Sequence, residues 1–241
     1  ISIVSPPSSS ITYTSIYEDS YYRNVNNYTN FTSGGTCGSG CASRREIVLA
    51  GSNAGILHAF DASSGEELWG FIPPSVLNKL PKIISSNPNV TNAIFGVDGS
   101  PVVKDIYYGG VWRTIVLTGL GRGGNSYFAL DITNPNSPTH LFTIENDDIG
   151  KVVNFWNSSG TKTSYLHSFG SVADATKDYS KLGEAWSTPR IIRMRISNVD
   201  KWVAVFGAGF NGGVNPNLGS AAFVMDLENE GNLLKKIDIT D

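Results

Sequence analysis

The run Gly119-Leu120-Gly121-Arg122-Gly123-Gly124 has the G-x-G-x-x-G spacing that lets backbone amides close on a pyrophosphate. That chemistry needs a helix N-terminus directly behind the glycines, where the dipole and free N–H groups meet the anion. Behind these glycines stands Asn125-Ser126-Tyr127-Phe128-Ala129-Leu130, a strand-like run, so the loop reads as a hairpin turn. His58, His140 and His167 are scattered along the chain, and neither the G-x-S-x-G nor the H-E-x-x-H motif occurs. His58, between Leu57 and Ala59, reads as a packed core histidine. Glu145-Asn146-Asp147-Asp148 lacks the spaced acidic ladder, central glycine and distal glutamate of a calcium loop, and reads as a solvated acidic turn. Two cysteines, Cys37 and Cys41, stand in Cys-Gly-Ser-Gly-Cys. They are too few for a structural zinc site and leave two readings open, a local disulfide closing a turn or two free thiols. No catalytic, cofactor or metal site emerges, and the expectation is that the chain is not an enzyme.

The elements that would carry such residues are constrained by composition. Among 241 residues, Lys+Arg total 18 and Asp+Glu 21, a net charge of −3, which argues against a surface that tracks nucleic-acid phosphates. Charged residues are 16% of the chain, against roughly 25% in an average soluble protein. With 40% hydrophobic residues, disorder is excluded. Abundant Gly, Ser, Thr, Asn and Tyr fit a secreted β protein rather than a helical bundle. No apolar run approaches the ~20 residues of a membrane-spanning helix. The chain opens at Ile1 with no signal peptide and reads as an excerpt from a longer precursor.

A repeat organises the sequence. Ile47–Pro73, Thr114–Asn146 and Trp202–Asp238 each read as an apolar strand ending in glycine, a turn, a second strand ending in aspartate, a turn, and a third strand. The shared glycines are Gly51, Gly119 and Gly207, and the shared aspartates Asp61, Asp131 and Asp226; Trp69 marks the first outer strand. An aspartate at the end of a strand can accept hydrogen bonds from the following turn and fix a hairpin. A strand led in by Ser-Pro or Thr-Pro precedes each repeat. The reading is all-β: a β-propeller of four-stranded antiparallel blades, here about three blades of a larger propeller, because three do not close a ring. The blades fall at about 1–73, 97–146 and 186–241, with loop insertions at 8–45, 74–97 and 151–184. Long loops on a rigid scaffold are where binding residues concentrate. The candidate interaction residues are therefore Tyr17, Tyr21, Tyr22 and Tyr28 in the first insertion, and Trp156 and Tyr165 in the last. Deleting 151–184 is expected to change binding and leave the fold intact.

The segment Gly51-Ser52-Asn53-Ala54-Gly55…His58-Ala59-Phe60-Asp61…Ser64-Gly65-Glu66-Glu67-Leu68-Trp69 resembles the repeats of quinoprotein dehydrogenase-like propellers. A wider resemblance covers nearly the whole chain. Leu57–Asp61 with Phe71-Ile72-Pro73, then Val97-Asp98-Gly99-Ser100-Pro101…Asp105-Ile106-Tyr107-Tyr108…Trp112-Arg113, then Gly119…Phe128-Ala129-Leu130-Asp131-Ile132-Thr133 occur in one order. Asp147–Gly150 and Trp202–Gly207 continue it. This resembles the C-terminal propeller of the PilC/PilY family of type IV pilus-associated adhesins. The resemblance implies a secreted protein at the pilus tip or outer surface of a bacterium, working with minor pilins in pilus biogenesis and twitching motility. It also implies adhesion to a host-cell receptor through protein or glycan contacts. It implies no cofactor in this segment; the family's calcium-binding aspartate loop belongs to a later blade outside it. Two other readings share the fold. One is a quinone (PQQ)-dependent dehydrogenase, which wants a catalytic Asp, calcium and often adjacent cysteines, whereas Cys37 and Cys41 are not adjacent. The other is a purely structural docking propeller.

Overall fold

The computed structural model describes residues 1–34, 41–85, 94–168, 171–211, 213 and 215–239. Three antiparallel sheets succeed one another along the chain. The first runs β1 (Ser2–Val4), β2 (Ile47–Gly51), β3 (Leu57–Asp61) and β4 (Glu67–Phe71) in spatial order. The second runs β5 (Val102–Tyr108), β6 (Val111–Gly119), β7 (Ser126–Asp131), β8 (Thr139–Asp147), β9 (Val152–Trp156), β10 (Lys162–Ser168) and β11 (Ser171–Val172). The third runs β12 (Arg190–Ile196), β13 (Val199–Gly207), β14 (Ala221–Asp226) and β15 (Asn232–Asp238). The leading strands converge, with β5 lying against both β1 and β12. Helices α1 (Asp19–Val25) and α2 (Tyr28–Gly34) sit between β1 and β2; a 3₁₀ turn (Pro74–Lys79) and α3 (Leu80–Ser85) come after β4.

Two apolar seams join the sheets, and the period-2 alternation of strands assigns residues to them. Ile47, Leu49, Leu57 and Ala59 of the first sheet meet Val116, Phe128 and Leu130 of the second. The intervening residues of the second sheet, Ile115, Leu117, Tyr127 and Ala129, face the other way and meet Trp202, Ala204, Phe206, Phe223 and Met225 of the third. Strands β6 and β7 are thus buried on both faces, which is why they read as unbroken apolar runs.

The repeated aspartates share one geometry. Asp61, Asp131 and Asp226 pair across the ladder with Ile47, Ile115 and Val203. The hairpin beyond carries a bulge one residue before each aspartate. One carboxylate oxygen accepts turn amides: Ser63 and Ser64 at 2.8 and 2.9 Å on Asp61, Thr133 at 2.9 Å on Asp131, Glu228 at 3.0 Å on Asp226. The other oxygen meets a cation: Arg45 at 3.1 Å, Arg113 at 3.0 Å and Lys201 at 2.7 Å. The Ser63 hydroxyl and the Ser63 and Ser64 amides hold the Asp61 carboxyl down at about 2. The outer strands lock each sheet to the next. Trp69 donates from Nε1 to the Pro135 carbonyl at 2.7 Å, and Phe142 packs so close to Gly231 that a Cβ there would lie 2.6 Å from its ring.

The second sheet corrects the expectation for 151–184. Instead of a loop, this stretch supplies β9, β10 and β11 and a connector whose Tyr179 and Leu182 are fully buried. The Tyr179 hydroxyl donates to the Gly231 carbonyl at 2.8 Å, and Asn146 Nδ2 donates to the carbonyls of Ser180 and Leu182 at 2.9 and 2.8 Å. A chain lacking 151–184 would lose these strands and contacts, so the deletion should disturb the packing between the second and third sheets. The signal was Val152-Val153-Asn154-Phe155-Trp156 with an Asx turn behind it, in which Asn157 Oδ1 accepts the Ser159 and Thr161 amides at 3.1 and 2.9 Å. Residues 8–45 are likewise not all irregular, since they hold α1 and α2.

Two predictions come from these joints. Asp131→Ala removes a turn cap and an ion pair together and should cost ~1–3 kcal/mol in urea denaturation; an unchanged midpoint would refute the capping role. At Gly119 a Cβ would lie 2.7 Å from the Tyr127 ring and 2.8 Å from the Ala185 carbonyl, whereas at Gly207 the nearest atom, Ser187 Oγ, is 3.6 Å away. Gly119→Ala should therefore destabilise by ~1–3 kcal/mol, and Gly207→Ala should melt at or above the wild-type temperature.

Candidate interaction surface

The insertion between β1 and β2 is clamped onto the end of the second seam. Glu18 organises its start, accepting from Thr14 N and Oγ1 at 3.1 and 2.7 Å, Ser15 N at 2.9 Å and Ser20 Oγ at 2.9 Å. The Thr14 and Ser20 hydroxyls hold the Glu18 carboxyl below the usual carboxylate range. Tyr28 is buried with its ring 4.7 Å from Trp112, and its hydroxyl donates to Asp105 Oδ2 at 2.5 Å. Burial, with the Asp105 charge beside it, pushes the Tyr28 phenol far up. Asp105 Oδ1 accepts from Thr114 Oγ1 at 2.6 Å, which in turn accepts from the buried Arg44 at 2.6 Å. Trp112 Nε1 donates to the Asn26 carbonyl at 2.8 Å.

Tyr22 fills the gap between the second and third sheets. Its ring meets Trp112 and Trp202 edge-on at 6.2 and 6.0 Å, and the Arg193 guanidinium of β12 lies 4.6 Å above it. Arg193 also reaches Asp19 of α1 at 3.2 Å and Asp200 of β13 at 3.1 Å. The clamp therefore spans both sheets.

These anchors separate the predicted interaction residues. Tyr17 is 85% exposed and Ile16 60%, while Tyr21 is half-buried in an edge-on pair with the exposed Tyr13 at 5.0 Å. Tyr28 and Tyr22 face inward and hold the insert, so they are not available to a partner. Trp156 is buried at the end of β9, its ring under the Lys162 ammonium at 5.1 Å, and Tyr165 is half-buried on β10 against the core. Neither belongs to the tyrosine cluster, because both lie in strands of the second sheet rather than in a loop. Cys41 is fully buried, and Cys37 lies outside the described residues.

The histidines do not converge. His58 engages Glu67 at 2.8 Å and Ser52 at 3.1 Å, His140 engages Thr143 at 2.9 Å, and His167 engages Asn146 at 3.0 Å. Burial lowers the pKa of both His140 and His167. Among the described residues, no three His, Cys, Asp or Glu side chains gather where they could share a metal ion. Arg45, Arg113, Lys201 and Arg193 are not among the predicted site residues. The first three had a signal, a basic residue two positions ahead of Ile47, Ile115 and Val203. Arg193 had none, since only the folded chain brings it to α1.

Antiparallel repeats with converging leading strands and one shared aspartate-capped hairpin define a β-propeller, and its clamped insert presents an exposed surface. The chain belongs to the family of the PilY1 beta-propeller domain, which matches residues 8–241. It is 32% identical over 197 residues to the type IV pilus biogenesis factor PilY1 of Pseudomonas aeruginosa, covering 82% of this chain and 14% of that protein. A PilY1 homolog of Xylella fastidiosa is 29% identical over 196 residues, covering 81% of this chain and 11% of that one. The crystal structure of the Pseudomonas aeruginosa PilY1 C-terminal domain superposes with a TM-score of 0.58 at 27% identity, covering 89% of this chain and 33% of that one. The chain thus spans about a seventh of the length of the curated Pseudomonas relative.

The clamp predicts opposite behaviour for two tyrosines. Tyr28→Phe strands an Asp105 oxygen and should lower stability by ~1–2 kcal/mol, whereas Tyr17→Ala should stay within ~0.5 kcal/mol of wild type. Equal stability of the two variants in a thermal melt would mean that Tyr28 does not anchor the insert.

Proposed function

We propose that this chain is the propeller scaffold of a type IV pilus biogenesis factor, contacting minor pilins at the pilus tip through the tyrosine-rich insert. The observation that carries the reading is the exposed Tyr13, Ile16 and Tyr17, with half-buried Tyr21 against Tyr13, on a rigid base, in a chain whose curated relatives are named type IV pilus biogenesis factors. Tyrosines present large amphipathic area at low entropic cost, and a clamped base reduces the ordering cost of binding. Twitching motility and adhesion to a host-cell receptor are further roles of the same surface. The protein acts outside the bacterial cell, at the pilus tip or outer surface. Its role is non-enzymatic and uses no cofactor in this segment; any calcium ion belongs to a later blade. Extracellular oxidising conditions favour a Cys37–Cys41 disulfide.

Immobilised chain should capture purified minor pilins, and the double variant Tyr13→Ala, Tyr17→Ala should weaken capture about tenfold, the effect of losing a tyrosine anchor. Capture that is absent, or untouched by the double variant, would remove the insert from the pilin interface.

A further inference from the structure

At the opposite end of the strands from the insert, the lead-ins to β5 and β12 enclose a cleft of about 140 Å³. Its walls include Asp98, Ser100, Arg122, Trp186, Ser187 and Thr188. Trp186 is 59% exposed, a large apolar surface to leave in water. It is nonetheless fixed in place. Its indole N–H donates to Glu184 Oε2 at 2.8 Å, and Phe210, itself half exposed, packs beside it at 5.9 Å. The backbones of Glu184 and Phe210 exchange hydrogen bonds of 2.7 and 3.0 Å, so the two rings form a shelf that needs no ordering on binding.

Two charged groups of the cleft are uncommitted, while Ser187 Oγ accepts the Gly207 amide at 2.9 Å and keeps its own proton to donate. The side chains of Asp98 and Arg122 have no hydrogen-bond or ion-pair partner among the described residues; the Arg122 guanidinium rests 4.4 Å over the Phe95 ring. The two charged lining residues, Asp98 and Arg122, are opposite in sign, and the Glu184 carboxylate is committed to the Trp186 indole. For a phosphate or an ammonium, the attraction of one of these groups is opposed by the repulsion of the other. A neutral polyol suits both, since each hydroxyl can donate to the carboxylate or accept from the guanidinium, and the Ser100, Ser187 and Thr188 hydroxyls serve either role. The volume lies below the ~300–1,000 Å³ of a drug-sized ligand and takes one ring.

We infer that this cleft binds a single neutral sugar ring, its C–H face against Trp186 and its hydroxyls between Asp98 and Arg122. The inference deepens the adhesion reading but is separable from pilin capture, because the two sites occupy opposite ends of the sheets and can fail independently.

The test is titration of the full chain with methyl α-D-mannopyranoside, methyl β-D-galactopyranoside and N-acetyl-D-glucosamine, with inorganic phosphate as the charged counter-probe. The readout is the Trp186 indole ¹H–¹⁵N resonance, assigned by its loss in Trp186→Phe. At least one sugar should shift it saturably, and Trp186→Ala should weaken that sugar about tenfold in a calorimetric titration. Asp98→Asn, at an exposed position, should weaken it comparably without changing the melting temperature, and so decides the matter if Trp186→Ala perturbs the fold. The inference is overturned if no sugar saturates, if phosphate saturates the site instead, or if binding survives Asp98→Asn at wild-type strength.

Discussion

Strands β6 and β7 of the second sheet are buried on both faces, and the remaining architecture obeys that constraint. Their residues alternate between two seams: Val116, Phe128 and Leu130 against the first sheet, Ile115, Leu117, Tyr127 and Ala129 against the third. Each buried Val, Ile, Leu or Phe here contributes ~1.5–3 kcal/mol, and a slip of one residue would send both sets into the wrong seam. Register must therefore be held firmly. The bulge and aspartate cap at the same place in each sheet do this, fixing where the third strand ends and the next hairpin turns.

The cap works because a carboxylate has two oxygens. One is committed to turn amides and the other to a cation in or just ahead of the neighbouring strand, so turn and ladder are tied at one residue. The environments differ: Asp226 is almost wholly buried with Lys201, whereas Asp61 is more open and leans on serine donors. Between sheets, close backbone approach adds to the side-chain seams. Gly119 lets the lead-in to the third sheet pass at Ala185, where a methyl group would collide. Trp69 and Phe142 make the matching contacts at the outer strands.

Rigid joints of this kind free the ends of the strands for other uses. At one end, Arg193, Trp112, Trp202 and Asp105 hold the insert and leave Tyr17 outermost. At the other, Trp186, backed by Phe210, lines a cleft together with Asp98 and Arg122. Both surfaces are aromatic and low in net charge, consistent with a chain in which only 16% of residues are charged.

The all-β class, the repeat, the position of the capping aspartates and the hairpin at Gly119–Gly124 are all legible in the order of residues. These depend on local chemistry: alternation, turn residues and the short reach of an aspartate. The same local signals mislead at 151–184, where Ser, Thr, Asn and Lys around Val152–Trp156 imitate a polar loop. An outer strand needs only one protected face, so its composition resembles that of a loop. Which tyrosines remain exposed depends instead on long-range packing. Tyr17 and Tyr28 are alike in composition and context, but Asp105 and Trp112, far along the chain, bury one of them. Local pattern fixes where a strand can form, whereas burial depends on which distant segments meet.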